Sequence, residues 1–207
     1  MSVSSTSASK SARSAGWRSE LPRLALMVCL LFVARSSFAN HYVVPSGSMQ
    51  HTLEIGDRVV VDMRAYGLRL PVTDTVLWPT GTPQRGDVAV FDSPLDGTRL
   101  IKRVAAVGGD RVQLHDGHLW INGRALADDD AALERFDARQ VRLDLDEGGG
   151  PDIDALVVPA GQVLMLGDHR GNSADGRYFG LVPARALYGR AVAVYWRRGD
   201  GLGWRQL

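Results

Sequence analysis

The chain has 207 residues, room for one compact body of roughly 150 residues plus an appended segment and too few for two domains of ordinary size. Hydrophobic residues make up 45% and charged residues 23%, close to the roughly 45–50% and 25% of globular proteins, which excludes a collagen-like or low-complexity chain. A net charge of +1 offers no general electrostatic case for nucleic acid, and no nucleic-acid partner is expected.

Residues 1–20 contain eight serines, with Lys10, Arg13 and Arg18 against Glu20 alone, and no apolar periodicity. They read as a disordered tail. Residues 24–34 then form an apolar run of eleven between Arg23 and Arg35. Eleven is short of the roughly 20 residues that a spanning helix needs. With both arginines snorkelling, a helix over residues 21–39 reaches about 28 Å, near the hydrocarbon thickness. Basic residues precede the run more than they follow it, which places the tail in the cytoplasm and the body outside. The same run, ending in Ser37-Phe38-Ala39, also fits a cleavable signal peptide. Either way the body is exported, and a retained single anchor, with the lipid bilayer as partner, is the preferred reading. Cys29, the only cysteine, lies in this run, so no intrachain disulfide and no cysteine metal cluster can form.

From residue 40 onward, short β-branched runs alternate with glycine and aspartate turns. Strands are predicted at 41–44, 57–64, 87–91, 100–107, 111–114, 118–121, 140–145, 162–166 and 191–196. Asp116-Gly117 and Asn122-Gly123 are strong hairpin signals, and His115-Asp-Gly-His118 reads as a turn rather than a metal site. Short helices are predicted over 129–136 and 183–187. The pattern predicts an all-β, antiparallel, barrel-like or sandwiched body over residues 40–207. Residues 108–159, acidic and glycine-rich at 144–154, read as an inserted cap.

Three segments can carry chemistry: Pro45-Ser-Gly-Ser-Met49 running into Thr52-Leu-Glu-Ile-Gly-Asp57, Arg85-Gly-Asp87 through Leu100-Ile-Lys-Arg103, and the polar run from Gly167 to Arg177. Pro-Ser-Gly-Ser is ordinarily a turn, and a serine exposed on a turn becomes a nucleophile only beside a base. No His–Asp pair is placed by the sequence to be that base. Two lysines stand against twenty-two arginines, and Lys102 is the only lysine outside the tail. On a strand, Lys102 shares a face with Leu100 and Val104. Apolar surroundings push a lysine toward the neutral amine that can accept a proton, which arginine cannot do. The competing reading is an edge-strand lysine pointing to water. The Gly167–Arg177 run is too irregular for a helix or strand and reads as a loop, in which Ser173 can bond a lysine amine and Asp175 can pair with Arg177.

Taken together and in this order, the three boxes resemble those of the bacterial type I signal peptidases, a likeness that spans residues 35–196. The resemblance implies a membrane-anchored serine endopeptidase with a signal-peptidase/LexA-like β fold. Such an enzyme cleaves signal peptides from exported preproteins after small-x-small sites, needs no metal or organic cofactor, and sits in the bacterial inner membrane with its body on the extracytoplasmic side. Position by position, Ser48 matches the nucleophile, Lys102 the general base, and Ser46 the serine that joins the Ser48 N–H in the oxyanion hole. Ser173 matches the serine that orients the lysine, and Asp175 and Arg177 match the pair that supports the loop. Tyr42, Val44, Val59 and Ile101 match the lining of shallow apolar substrate pockets. The chain departs from the pattern at His51, His169, Gly171 and Gly176, none of them in the dyad. Rival readings are a relative dedicated to one conjugation pilin or secretion subunit, a LexA-like self-cleaving regulator, and a non-catalytic envelope domain that binds peptides. The apolar run and the lack of a helix-turn-helix pattern speak against the regulator. Because Ser48 follows Ala39 by only nine positions, an anchor ending at the outer membrane face would hold the nucleophile near that surface.

Overall fold

A computed structural model describes residues 20–28, 39–69, 75–127, 132–137 and 139–207. Residues 20–28 are helical, and their apolar side chains Leu21, Leu24, Leu26, Met27 and Val28 are exposed. No helix among the described residues is long and apolar enough to cross a membrane. Most of the expected tail and residues 29–38 of the expected anchor lie outside the described residues.

The rest is mostly β. In chain order the strands are β1 (Ala39–Val43), β2 (Arg58–Asp62), β3 (Leu68–Arg69), β4 (Val76–Trp78), β5 (Val88–Asp92), β6 (Arg99–Val107), β7 (Arg111–His115), β8 (His118–Ile121), β9 (Arg124–Ala125), β10 (Leu133–Phe136), β11 (Arg139–Arg142), β12 (Ile153–Val157), β13 (Gln162–Leu166), β14 (Val182–Pro183), β15 (Gly189–Arg197) and β16 (Gly201–Gln206). The main sheet runs β1-β2-β15-β5-β6-β13-β14, with β16 added to β15. Its pairings are antiparallel throughout. No pairing among the described residues joins β1 to β14, so the barrel-like closure expected from the sequence is not seen. A second sheet, β12-β7-β8-β9, and the hairpin β10-β11 occupy the stretch that reads as a cap.

Period-two alternation places the core. On β5, Val88 and Val90 face a cluster with Val44, Met49, Leu53, Val59 and Val61, while Ala89 and Phe91 face a second cluster with Val104, Val163 and Met165. Residues 105–106 of β6 reach a third cluster, built with Leu114, Leu119 and Phe136 under the cap strands. The Asp116-Gly117 and Asn122-Gly123 turns have positive φ at both central residues, the conformation that tight two-residue hairpins require.

The helix expected over 129–136 is corrected: its described part, Leu133–Phe136, is β10, paired with β11. Period two wins there because Glu134 and Phe136 both point inward, at 0% and 2% exposure. Glu134 accepts from Arg170 Nη2 at 2.6 Å and from the Leu119 N–H at 2.8 Å, and the Arg170 side chain is itself 1% exposed. Breaking one half of such a pair strands a buried charge. Glu134→Gln should therefore lower unfolding free energy by about 3 kcal/mol, measurable by urea denaturation. The helix expected over 183–187 is a single 3₁₀ turn, Ala184–Ala186. The Gly167–Arg177 run is not wholly irregular, because its end opens a one-turn helix, Gly176–Phe179, capped by Asp175.

Candidate active site

The nucleophile candidate sits on a turn pinned at both ends. The Val44 N–H donates to the Asp57 carbonyl and the Gly56 N–H to the Val44 carbonyl, each at 2.9 Å. Inside the turn, the Leu53 N–H donates to the Met49 carbonyl at 2.8 Å, and Met49 and Leu53 are buried in the cluster shared with Val59. Arg197 closes the far end, donating to Asp57 from Nε at 3.0 Å and to the Thr52 carbonyl from Nη2 at 3.3 Å. With its neighbours anchored, Ser48 has little backbone freedom. Its Oγ lies 3.3 Å from Ser46 Oγ, and Ser46 is exposed where Ser48 is mostly covered.

Lys102 lies on β6, directly opposite Ala89 of β5. Leu100, Val104, Ala89 and Phe91 all belong to the apolar cluster on that face, the setting that alternation predicts. The lysine is 3% exposed, and among the described residues no hydrogen bond or ion pair ties up its amine. Burial pushes its pKa down from 10.5 to about 8; Asp175 and Asp168 pull against that shift, while Arg177 adds to it. The edge-strand reading, in which the lysine points to water, is overturned by this burial.

The loop after β13 brings the third segment to the other two. Leu166 pairs with Arg103, so the loop leaves the sheet beside Lys102. The His169 N–H donates to the Ser48 carbonyl at 3.2 Å. Gly167 is required by close approach, since a Cβ there would collide with Ser173 Oγ and with the Ser48 carbonyl oxygen. Ser173 therefore stands next to the Ser48 backbone with its Oγ buried. Asp175 holds the loop. It accepts the Gly167 N–H at 2.9 Å and the Arg177 Nε and Nη2 donors at 2.8 Å each, and both side chains of this pair are 0% exposed. Burial works to raise the Asp175 pKa, yet the hydrogen bonds and charge of Arg177 hold it below the ordinary carboxylate value. Arg177 also donates to the Gly149 and Arg170 carbonyls, each at 2.6 Å.

One further brace was not singled out in the sequence. Arg103, next to the lysine, grips Asp168 through Nε at 2.8 Å and Nη2 at 2.7 Å, and reaches the Gly86 carbonyl at 2.7 Å. Thr52 Oγ1 donates to the same carboxylate at 2.5 Å, so one buried pair joins all three boxes. The only sequence signal was that Arg103 and Asp168 sit inside the boxes already quoted.

The four residues expected to line substrate pockets fall together in one cluster. Val44 and Val59 are core members of one cluster, against which Tyr42 and Ile101 pack with partial exposure. Val44 and Val59 are covered, at 2% and 0% exposure, whereas Tyr42 and Ile101 keep part of their surface exposed. The Tyr42 hydroxyl accepts from Arg99 Nη1 at 3.2 Å.

Residues 17–196 match the family model described as signal peptidase, peptidase S26. Signal peptidase I of Pseudomonas aeruginosa is 37% identical over 193 residues, which cover 80% of this chain and 68% of that protein. Signal peptidase I of Pseudomonas fluorescens is 35% identical with the same coverage. A probable signal peptidase I-2 of Synechocystis sp. is 32% identical, covering 82% of this chain and 68% of its own length.

Proposed function

From the premise that this chain belongs to the signal peptidase family, peptidase S26, and is an endopeptidase that removes signal peptides, we propose that Ser48 is its nucleophile and Lys102 its general base. The observation that carries the assignment is a buried lysine with an uncommitted amine, set beside a loop that touches the backbone of a pinned, mostly covered serine. The neutral amine of Lys102 takes the Ser48 proton as Oγ attacks the scissile carbonyl. The Ser46 hydroxyl and the Ser48 N–H donate to the developing oxyanion. The amine then returns the proton to the departing peptide nitrogen, and water, activated by the same lysine, releases the acyl-enzyme. Ser173 orients the amine, while Asp175 and Arg177 hold Ser173 in place. Tyr42 and Ile101, over the Val44 and Val59 floor, accept the small residues of small-x-small sites.

The enzyme works from the bacterial inner membrane, held by its amino-terminal segment with the body on the extracytoplasmic side. The apolar run of residues 24–34 and the exposed apolar side chains of the 20–28 helix support this reading. The test is mass spectrometry of a preprotein incubated in detergent with the full chain or with its Ser48→Ala variant. Cleavage after a small-x-small site by the unmodified enzyme alone is expected, and cleavage by both would refute the assignment.

The lysine also sets the pH response. An ammonium cannot accept the serine proton, so kcat/KM should rise with pH and level off above about 8. The same shift acts on stability with a definite sign. Between about 8 and 10.5 the unfolded lysine keeps a proton that the folded one has lost, so this group makes unfolding harder as pH rises through that window. Pre-steady-state cleavage and urea midpoints across pH 6–10 would read both limbs. An activity that falls over this range would contradict the assignment.

A further inference from the structure

Two histidines play no part in the chemistry above. His51 lies on the turn three residues beyond Ser48, and His169 lies on the loop that ends in Ser173 and Asp175. His169 is 5% exposed, and among the described residues neither ring nitrogen meets a hydrogen-bond partner. Its Nδ1 is 3.7 Å from Asp144 Oδ2 and its Nε2 is 3.7 Å from Glu147 Oε1. From the other side, His51 Nε2 is 3.7 Å from the same Asp144 Oδ2. One carboxylate oxygen, on a segment belonging to neither box, thus faces an imidazole from each.

The backbone converges on the same junction. The Asp144 N–H donates to the Asp168 carbonyl and the Arg170 N–H to the Asp144 carbonyl, each at 3.0 Å, while the His169 N–H reaches the Ser48 carbonyl. Asp144 Oδ1 is occupied by the Asp146 N–H at 3.1 Å, which leaves Oδ2 to the two rings. The neighbouring cations do not compete for it, because Arg170 is committed to Glu134 and Arg103 to Asp168. Glu147, the other carboxylate at His169, accepts from Asn172 Nδ2 at 2.9 Å.

We propose that Asp144 is a positioning residue for the peptidase, clasping the Ser48 turn through His51 and the support loop through His169 so that nucleophile and lysine keep their spacing. The proposal rests on the Ser48–Lys102 reading. At 3.7 Å the Asp144 oxygen faces a nitrogen of each ring without a direct hydrogen bond, so it sets the spacing of turn and loop by close packing, and a small misplacement of reacting groups costs rate rather than affinity. The clasp therefore acts on kcat and leaves KM alone.

The test compares Asp144→Asn, His51→Gln, His169→Gln and their combinations in the full-length enzyme, with a signal-peptide substrate in detergent. Each single change should lower kcat by about tenfold and leave KM within about twofold, and the triple variant should be no worse than Asp144→Asn, because the three effects share one atom. Unchanged kcat, losses confined to KM, or fully multiplying losses would overturn the proposal. Should Asp144→Asn fail to fold, the half-exposed His51 supplies the same test, since His51→Gln should cost less in a His169→Gln background. Amide exchange at His169, measured in the inactive Ser48→Ala protein, should speed up on Asp144→Asn or His51→Gln. An unchanged exchange rate overturns the clasp whatever the nucleophile is, whereas a wrong nucleophile shows separately as cleavage by Ser48→Ala.

Discussion

Ser48→Ala and Lys102→Arg are each expected to lower kcat/KM by about 10⁴-fold or more, the scale on which loss of one member of a nucleophile–base unit is felt. Alanine removes the attacking oxygen. What remains is the donor pair at Ser46 and the Ser48 N–H, which stabilises an oxyanion that nothing efficiently forms. Arginine tests the base more sharply, because it keeps the positive charge and loses only the ability to become neutral. A general base must give up its own proton first, and the burial that brings Lys102 to about 8 has no counterpart for a guanidinium. Lys102→Met separates chemistry from packing. It should be as inactive as Lys102→Arg and more stable than the unmodified protein at pH 7 by about 1–3 kcal/mol, since it fills the same apolar pocket without a buried ammonium. Substrate turnover by mass spectrometry and urea midpoints decide the matter. More than about a hundredth of the normal rate in folded Lys102→Arg would remove the lysine from the mechanism.

The burial of Lys102 was legible in the sequence because strand alternation put it among Leu100 and Val104, and it drew notice because arginine had been used everywhere else in the body. The Asp116-Gly117 and Asn122-Gly123 turns were legible because positive φ at consecutive residues has a strong composition signature. Glu134 was misread for a physical reason. Residues 129–136 carry good helix formers, but the segment pairs with β11 and buries a glutamate whose partner, Arg170, lies far along the chain. Tertiary pairing outweighed local propensity there. The Arg103–Asp168–Thr52 brace and the two histidines facing Asp144 were illegible for the same reason. Each joins segments that only the fold brings together, and a lone His51 or His169 carries no periodicity that would announce a partner.

Asp175→Asn is the change in which support and chemistry separate most clearly. The pair it breaks is wholly buried, and an amide cannot neutralise Arg177, so an unfolding free-energy loss of about 3–5 kcal/mol is expected. That is a large share of the roughly 5–15 kcal/mol by which a domain is stable. The amide also accepts more weakly from the Gly167 N–H and from the Arg177 N–H that starts the one-turn helix, so the loop carrying Ser173 loosens and the rate at saturating pH falls. The effect on Lys102 has a sign of its own. Asp175 holds the ammonium form in place and Arg177 opposes it. Removing the carboxylate leaves Asp168 alone against the guanidinium and the burial, which pushes the lysine below about 8 and moves the acid limb of the pH–rate profile to lower pH. A variant that is less stable and slower, yet reaches its plateau at a lower pH, is the expected result. Urea denaturation and a pH series of kcat/KM measure the parts separately. A limb that moves upward, or stays in place while stability falls, would mean that Asp175 acts on the loop alone and that its charge does not reach the lysine.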